Sequence, residues 1–262
     1  MIDCHTHLTH AEFDADRSAV LERARGAGID RIAIVGQDEA ENRQVLALAS
    51  AGKSSFPDAP QYLAFLGLHP DRFADSREPV SPEEIARICD MIRTERASIT
   101  GIGEIGLDYW YCEDESRREM QRAALTRLAG LGTELDLPLN VHSRSAGHHT
   151  VDLLLSRGAK RVLMHAFDGK AGHALRGAEA GFVFSIPPSI VRSPQKQKLV
   201  RVLPLSALAL ETDSPVLGPV REERNEPANA RISLKAIAEI KGIPEEQVAE
   251  ATEENTRRVF RL

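Results

Sequence analysis

The stretch from Leu139 to His165, LNVHSRSAGHHTVDLLLSRGAKRVLMH, decides the fold. It opens on a short apolar run, Leu139–His142, crosses a helical pattern at Ala146–Arg157, and closes on a second apolar run, Arg161–His165. Strand, helix, strand is the repeating unit of α/β folds. Both runs are nearly continuous in apolar residues, as parallel strands covered on two faces are. Each ends on a histidine, so polar chemistry sits at the C-terminal end of both strands.

The same alternation extends through the 262 residues. Apolar runs at Met1–His5, Ile32–Gly36, Tyr62–His69, Ser98–Glu104, Gly181–Ser185 and Leu208–Asp213 bring the expected strands to eight. Between them, Ser81-Pro82-Glu83-Glu84 reads as a capped helix start. Helical patterns follow at Glu115–Asp136, Lys170–Ala180, Pro194–Leu203, Asn229–Lys241 and Pro244–Phe260. Gln37–Pro60 is the loosest region, with room for a surface excursion. No linker rich in Pro, Gly or Ser divides the chain, so residues 1–262 are expected to form a single domain. Strands alternating with helices fit a closed barrel or an open doubly wound sheet, and the strand ends choose between them. His5, His69, Glu104, His142, His165 and Asp213 all end strands, and His7 lies two residues past His5. A barrel gathers such positions at one mouth, whereas an open sheet spreads them over many strand widths. The expectation is a TIM-like (β/α)8 barrel.

Hydrophobic residues at 42% and charged residues at 27% fit a globular protein and exclude a disordered chain. A net charge of −6 argues against a protein that coats nucleic acid or a membrane surface through its overall field. No apolar run approaches the roughly 20 residues of a membrane-spanning helix. The start, Met-Ile-Asp-Cys-His, has no signal-peptide pattern. Three cysteines, an odd number, predict reduced thiols and a cytoplasmic setting.

In Asp3-Cys4-His5-Thr6-His7 a strand period of two puts Asp3, His5 and His7 on one face. Glu104 stands among glycines, and its two oxygens can bridge two cations. Mixed imidazole and carboxylate suits zinc, manganese or iron. Four histidines (His5, His7, His142, His165) with Glu104 and Asp213 are too many for one tetrahedral zinc. The expectation is two divalent metal ions sharing Glu104, with zinc favoured over manganese or magnesium. His5, His7 and Asp213 take one, and His142 and His165 take the other. No lysine ends the fourth strand, which argues against a carbamylated-lysine bridge. Such a centre is expected to activate a water and to attract an anionic substrate. Asp213 would orient the attacking water and accept its proton. His69 would touch the phosphate or protonate the leaving oxygen, and Arg144 would hold the phosphate through its planar fork. Asp3 and Glu211 are candidates to hold ligating imidazoles in one tautomer. Trp110 and Tyr111 fit a base-stacking pair and a packed loop equally. His148 and His149 read as a solvated loop, and His10 and His173 as surface residues.

As a set, D-x-H-x-H, G-x-H-P at Gly67–Pro70, G-E-I-G-L-D at Gly103–Asp108, the two later histidines, E-T-D-S-P at Glu211–Pro215 and Arg224-Asn225-Glu226-Pro227 resemble the TatD family of metal-dependent deoxyribonucleases. The motifs fall in family order from Asp3 to Pro227. The resemblance implies a TIM-like barrel, a two-metal site and a 3′→5′ exonuclease acting on DNA ends. It also implies metal ligation by His5, His7, Glu104, His142, His165 and Asp213. One departure stands out. Many members carry a second histidine after G-x-H-P, where this chain has Asp71, an acidic group expected to repel a DNA phosphate. The alternative substrate is a carboxylic ester or small nucleotide-derived molecule, such as an aminoacyl ester on tRNA. A non-catalytic metal-binding module is the third reading. The expected partners are DNA ends or a phosphorylated or ester small substrate, with no membrane and no obligate protein partner.

Overall fold

The computed structural model describes residues 1–55, 59–74 and 80–262. One parallel sheet runs in chain order: β1 (Ile2–Thr6), β2 (Arg31–Val35), β3 (Gln61–Leu66), β4 (Gly101–Gly106), β5 (Leu139–His142), β6 (Val162–Met164), β7 (Val183–Ile186) and β8 (Leu208–Leu210). The segment after β8 returns to β1. Asp213 N donates to His5 O at 2.9 Å, and His7 N donates to Ser214 O at 2.8 Å. The Asp3 carboxylate accepts from Thr212 N at 2.9 Å and Thr212 Oγ1 at 2.6 Å, across the same seam. The sheet thereby closes into the expected barrel.

Helices α1 (Arg17–Gly26), α2 (Glu39–Ser55), α3 (Pro82–Thr94), α4 (Glu115–Leu135), α5 (Gly147–Ser156), α6 (Ala171–Glu179), α7 (Pro194–Val202), α8 (Ala230–Lys241) and α9 (Glu245–Phe260) lie between and after the strands. Ser81 caps α3 as its motif predicts, its Oγ accepting from Glu84 N at 3.1 Å. Two helices depart from the sequence expectation. No helix was expected at α1, where an Arg-rich segment buries only Val20, Leu21 and Ala24. The loosest region is largely α2, whose small side chains (Ala, Gly, Ser) write no clear stripe. Residues 56–58 of that region lie outside the described residues.

The core has two parts. Strand residues such as Ile32, Ile102, Val141 and Leu210 join the helices in the larger one. Ile2, Cys4, Ala33, Val35, Leu63 and Phe65 form the smaller one with Val259 and Phe260 of α9. Phe65 and Phe260 meet with ring centres 4.8 Å apart. Burying these two rings contributes roughly 1.5–3 kcal/mol each by apolar transfer. Helix α9 thus stops the end of the barrel opposite the mouth.

Strict alternation fails at two places. Asp3 pairs with Ile32 but Thr6 with Ile34, so β1 carries one extra residue. Ile102 pairs with Leu139 but Ile105 with Val141, so β4 carries another. Such bulges re-aim the side chains around them. In β1 the bulge separates Asp3, which turns to Thr212, from His5 and His7, which enter the mouth. In β4 it frees Glu104 from the face of Ile102. Two glycines make room. A Cβ on Gly67 would lie 2.3 Å from Glu104 O, and one on Gly103 would lie 2.6 Å from Asn140 Cβ.

Candidate metal centre

Glu104 is 1% exposed and stands at the centre of the mouth. Its two oxygens face different partners. Oε2 lies 3.5 Å from both His5 Nε2 and His7 Nε2. Oε1 lies 2.8 Å from His142 Nδ1, 3.2 Å from His165 Nε2 and 3.3 Å from His69 Nε2. Asp213 completes the first group, its Oδ1 3.3 Å from His7 Nε2 and 3.6 Å from His5 Nε2. Among the described residues, His5–His7–Glu104, His5–His165–Asp213 and His69–Glu104–His142 each bring ligand atoms within 4.8 Å of one another. His165 stands between the groups, stacked on His5 with ring centres 3.7 Å apart.

One atom tests whether a cation fits here. Glu104 Oε2 is buried without a hydrogen-bond partner. A carboxylate oxygen hidden from water and unsatisfied is costly on its own. A cation between Oε2, His5, His7 and Asp213 removes that cost, and the donor set is the imidazole–carboxylate mixture that zinc and its neighbours accept. Electrostatics agree. Burial opposes the charge on Glu104, but His69, His5 and His165 hold its carboxyl well below the usual range.

Buried acceptors orient three of the imidazoles, those of His5, His142 and His165, leaving one nitrogen of each for the centre. His5 Nδ1 meets Asn140 Oδ1 at 2.8 Å. His142 Nε2 meets Asp108 Oδ2 at 3.1 Å, which turns Nδ1 toward Glu104. His165 Nδ1 meets Glu211 Oε2 at 3.2 Å. Asp3 bonds Thr212 and the backbone of His5, not a ring. Sequence reading missed Asn140 and Asp108, though both sit inside the quoted motifs. It also missed Lys196, whose buried ammonium donates to Ala166 O at 2.7 Å and Phe167 O at 2.8 Å. Lys196 and Glu211 together hold the turn after β6, where Ala166 has φ of 37°. The R-N-E-P motif is a brace. Asn225 Nδ2 donates to Thr212 O at 2.7 Å and Val216 O at 2.8 Å, fixing the loop that carries Asp213 at φ 56°.

His69 and Asp71 form a pair: the ring Nδ1 lies 2.6 Å from Asp71 Oδ1. Burial opposes a charge on His69, yet Glu104 and Asp71 push its pKa up to about 10. Asp71, the acidic residue after G-x-H-P, therefore engages His69 directly. Arg144 lines the cavity of about 600 Å³ that contains Glu104, His142 and Asp213. Glu12 and Glu41 line it too. His148, His149 and His173 cluster away from this centre, His148 with ring centres 3.7 Å from His149 and 5.4 Å from His173. No helix among the described residues is long and apolar enough to cross a membrane.

A closed β/α barrel with imidazoles and carboxylates converging at its C-terminal mouth defines a metal-dependent hydrolase. The chain belongs to the TatD related DNase family, whose profile matches residues 2–261. It is 40% identical to the human deoxyribonuclease TATDN3 over 264 residues, covering 99% of this chain and 94% of that one. It is 30% identical to the 3′-5′ ssDNA/RNA exonuclease TatD of Pectobacterium atrosepticum over 274 residues, covering all of both chains. The crystal structure of the Escherichia coli TatD homologue YJJV superposes with a TM-score of 0.86 at 28% identity, covering 100% of this chain and 98% of that one.

Proposed function

We propose that this protein is a two-metal deoxyribonuclease that removes nucleotides from DNA ends in the 3′→5′ direction. The observation that carries the proposal is Glu104, whose two oxygens face two separate groups of imidazoles. His5, His7 and Asp213 would hold one divalent ion, His142 and His165 the other, with Glu104 shared and zinc favoured by the ligand types. When bound, such ions supply Lewis-acid activation of water and of the phosphoryl group. The protein does the rest. Asp213 orients the attacking water and takes its proton. His69, its Nδ1 proton held by Asp71, protonates the leaving oxygen from Nε2. Arg144 holds a phosphate oxygen at the cavity wall. Asn140, Asp108 and Glu211 keep the ligating rings in single tautomers. Glu12 and Glu41 add acidic groups to the cavity lining, which disfavours further phosphates and so favours a strand that ends in the cavity over one that passes through. Asp71 is spent on His69 and does not face the phosphate as a free carboxylate. The three cysteines are all unpaired and buried, which supports a reducing, cytoplasmic setting.

A 5′-labelled single-stranded oligonucleotide, incubated with metal-reconstituted protein, tests the proposal. A ladder of stepwise shorter products is expected, absent after chelation and in Glu104→Ala. An intact oligonucleotide with folded, metal-loaded protein overturns it. Turnover of an aminoacyl ester under the same conditions would then assign these residues to ester hydrolysis.

A further inference from the structure

Trp110 and Tyr111 follow β4 and stand 61% and 57% exposed. Two large aromatics left side by side in water are unusual without a partner to cover them. The Arg144 guanidinium carbon lies 5.2 Å from the Trp110 ring centre and 4.7 Å from that of Tyr111. Tyr111 and Arg144 also line the cavity that holds Glu104 and Asp213. The aromatic pair is therefore the lip of the metal centre.

Its position is fixed by one buried carboxylate. Asp108 Oδ1 accepts from Trp110 N at 2.9 Å and from Tyr111 N at 3.0 Å. Asp108 Oδ2 meets His142 Nε2 at 3.1 Å, and His142 faces Glu104 through its other nitrogen. Tyr109 N donates to Arg144 O at 3.0 Å, joining the two loops of the lip. Gln121 holds Asp108 from behind, its Oε1 accepting from Asp108 N at 3.0 Å. Aromatic rings, a cation and the metal centre thus keep a set distance.

We infer that Trp110, Tyr111 and Arg144 form a shelf for one unpaired nucleobase of the substrate, with Asp108 fixing the shelf relative to the metal centre. Exposed ring faces take the π-face of any base, and the guanidinium complements the phosphate beside it. A base inside a duplex has both faces covered by its neighbours. The shelf therefore selects a single-stranded or frayed end. The inference rests on the nuclease reading in taking a nucleotide as the occupant.

Trp110 is the only tryptophan of the chain, so its fluorescence reports the shelf alone. The experiment titrates metal-loaded protein with dAMP and, separately, with 2-deoxyribose 5-phosphate, which has the same phosphate and no base. Saturable quenching by dAMP, absent with the sugar phosphate, is expected. Tyr111→Ala should weaken dAMP binding roughly tenfold, and Tyr111→Phe should keep it. Equal responses to the two ligands, or none to either, overturn the shelf. Fluorescence that changes with protein concentration before any ligand is added also overturns it, making the pair a contact between copies of the chain. The readout needs no turnover. Base-dependent quenching without strand shortening would support the shelf while removing the nuclease reading.

Discussion

At the mouth of the barrel His5, His7, Glu104, His165 and Asp213 crowd together, nearly all out of water. At the opposite end the same strands bring Ile2, Cys4, Ala33 and Leu63 against Val259 and Phe260. Cys4 and His5 are chain neighbours that serve opposite ends: Cys4 Sγ lies 3.2 Å from Thr256 Oγ1, whereas His5 Nε2 faces Glu104. The stopped end gathers apolar area, which stabilises. The mouth gathers charge and unsatisfied atoms, which cost stability until a ligand arrives. Function and folding energy are thus divided along the barrel axis, and substitutions at the two ends should fail in different ways.

The sharpest test of that division is Glu104→Ala. Hydrolysis should fall by about a thousandfold or more, since both groups lose the carboxylate they share. The melting temperature of the metal-free protein should change far less than the activity, because a buried unsatisfied oxygen is removed while the imidazoles on Oε1 lose their partner. A large fall in that temperature would break the comparison. At the other end, Phe260→Ala should cost about 3–5 kcal/mol in denaturant unfolding. The fraction that remains folded in the cold should hydrolyse at the unaltered rate. A proportionate loss of activity per folded molecule would show that the ends are coupled.

Two smaller effects sharpen the picture of the mouth. Asp71→Asn should lower the rate roughly tenfold or more through His69, and should move the alkaline limb of the pH–rate profile to lower pH. In the metal-free protein His69 carries a folded-state pKa of about 10 against an ordinary 6.5. The folded chain therefore holds a proton that the unfolded chain releases. This contribution to stability is fully present below pH 6.5 and disappears as pH rises through about 10. Melting temperature of metal-free protein should accordingly drop between pH 7 and 10, and His69→Asn should flatten that drop.

Most of this was legible in the sequence because strand ends and ligand-type residues coincide. His142 and His165 bound one βα unit, and the other ligands repeat its logic around the barrel. What escaped has identifiable causes. Helix α2 buries Asn42 and Val45 among its described side chains and leaves Ala40, Ala47 and Ala51 exposed, so its buried face writes no apolar stripe. The period of two in Asp3, His5 and His7 assumes an unbroken strand, and the bulge in β1 breaks it. Asp3 was therefore placed with the rings when it fastens the seam. Asn140 and Asp108 hold their imidazoles across 135 and 34 residues of chain, which no local spacing announces.

The seam has a consequence for how the protein is made. His5 and His7 leave the ribosome some two hundred residues ahead of Thr212, Asp213 and Ser214, which close the sheet beside them. Until then β1 has one flank open, Asp3 has no hydroxyl to bind and the first group of ligands lacks its carboxylate. A nascent or truncated chain can display most of the barrel and still have no cutting tool. Translation itself withholds the activity until the last strand is in place.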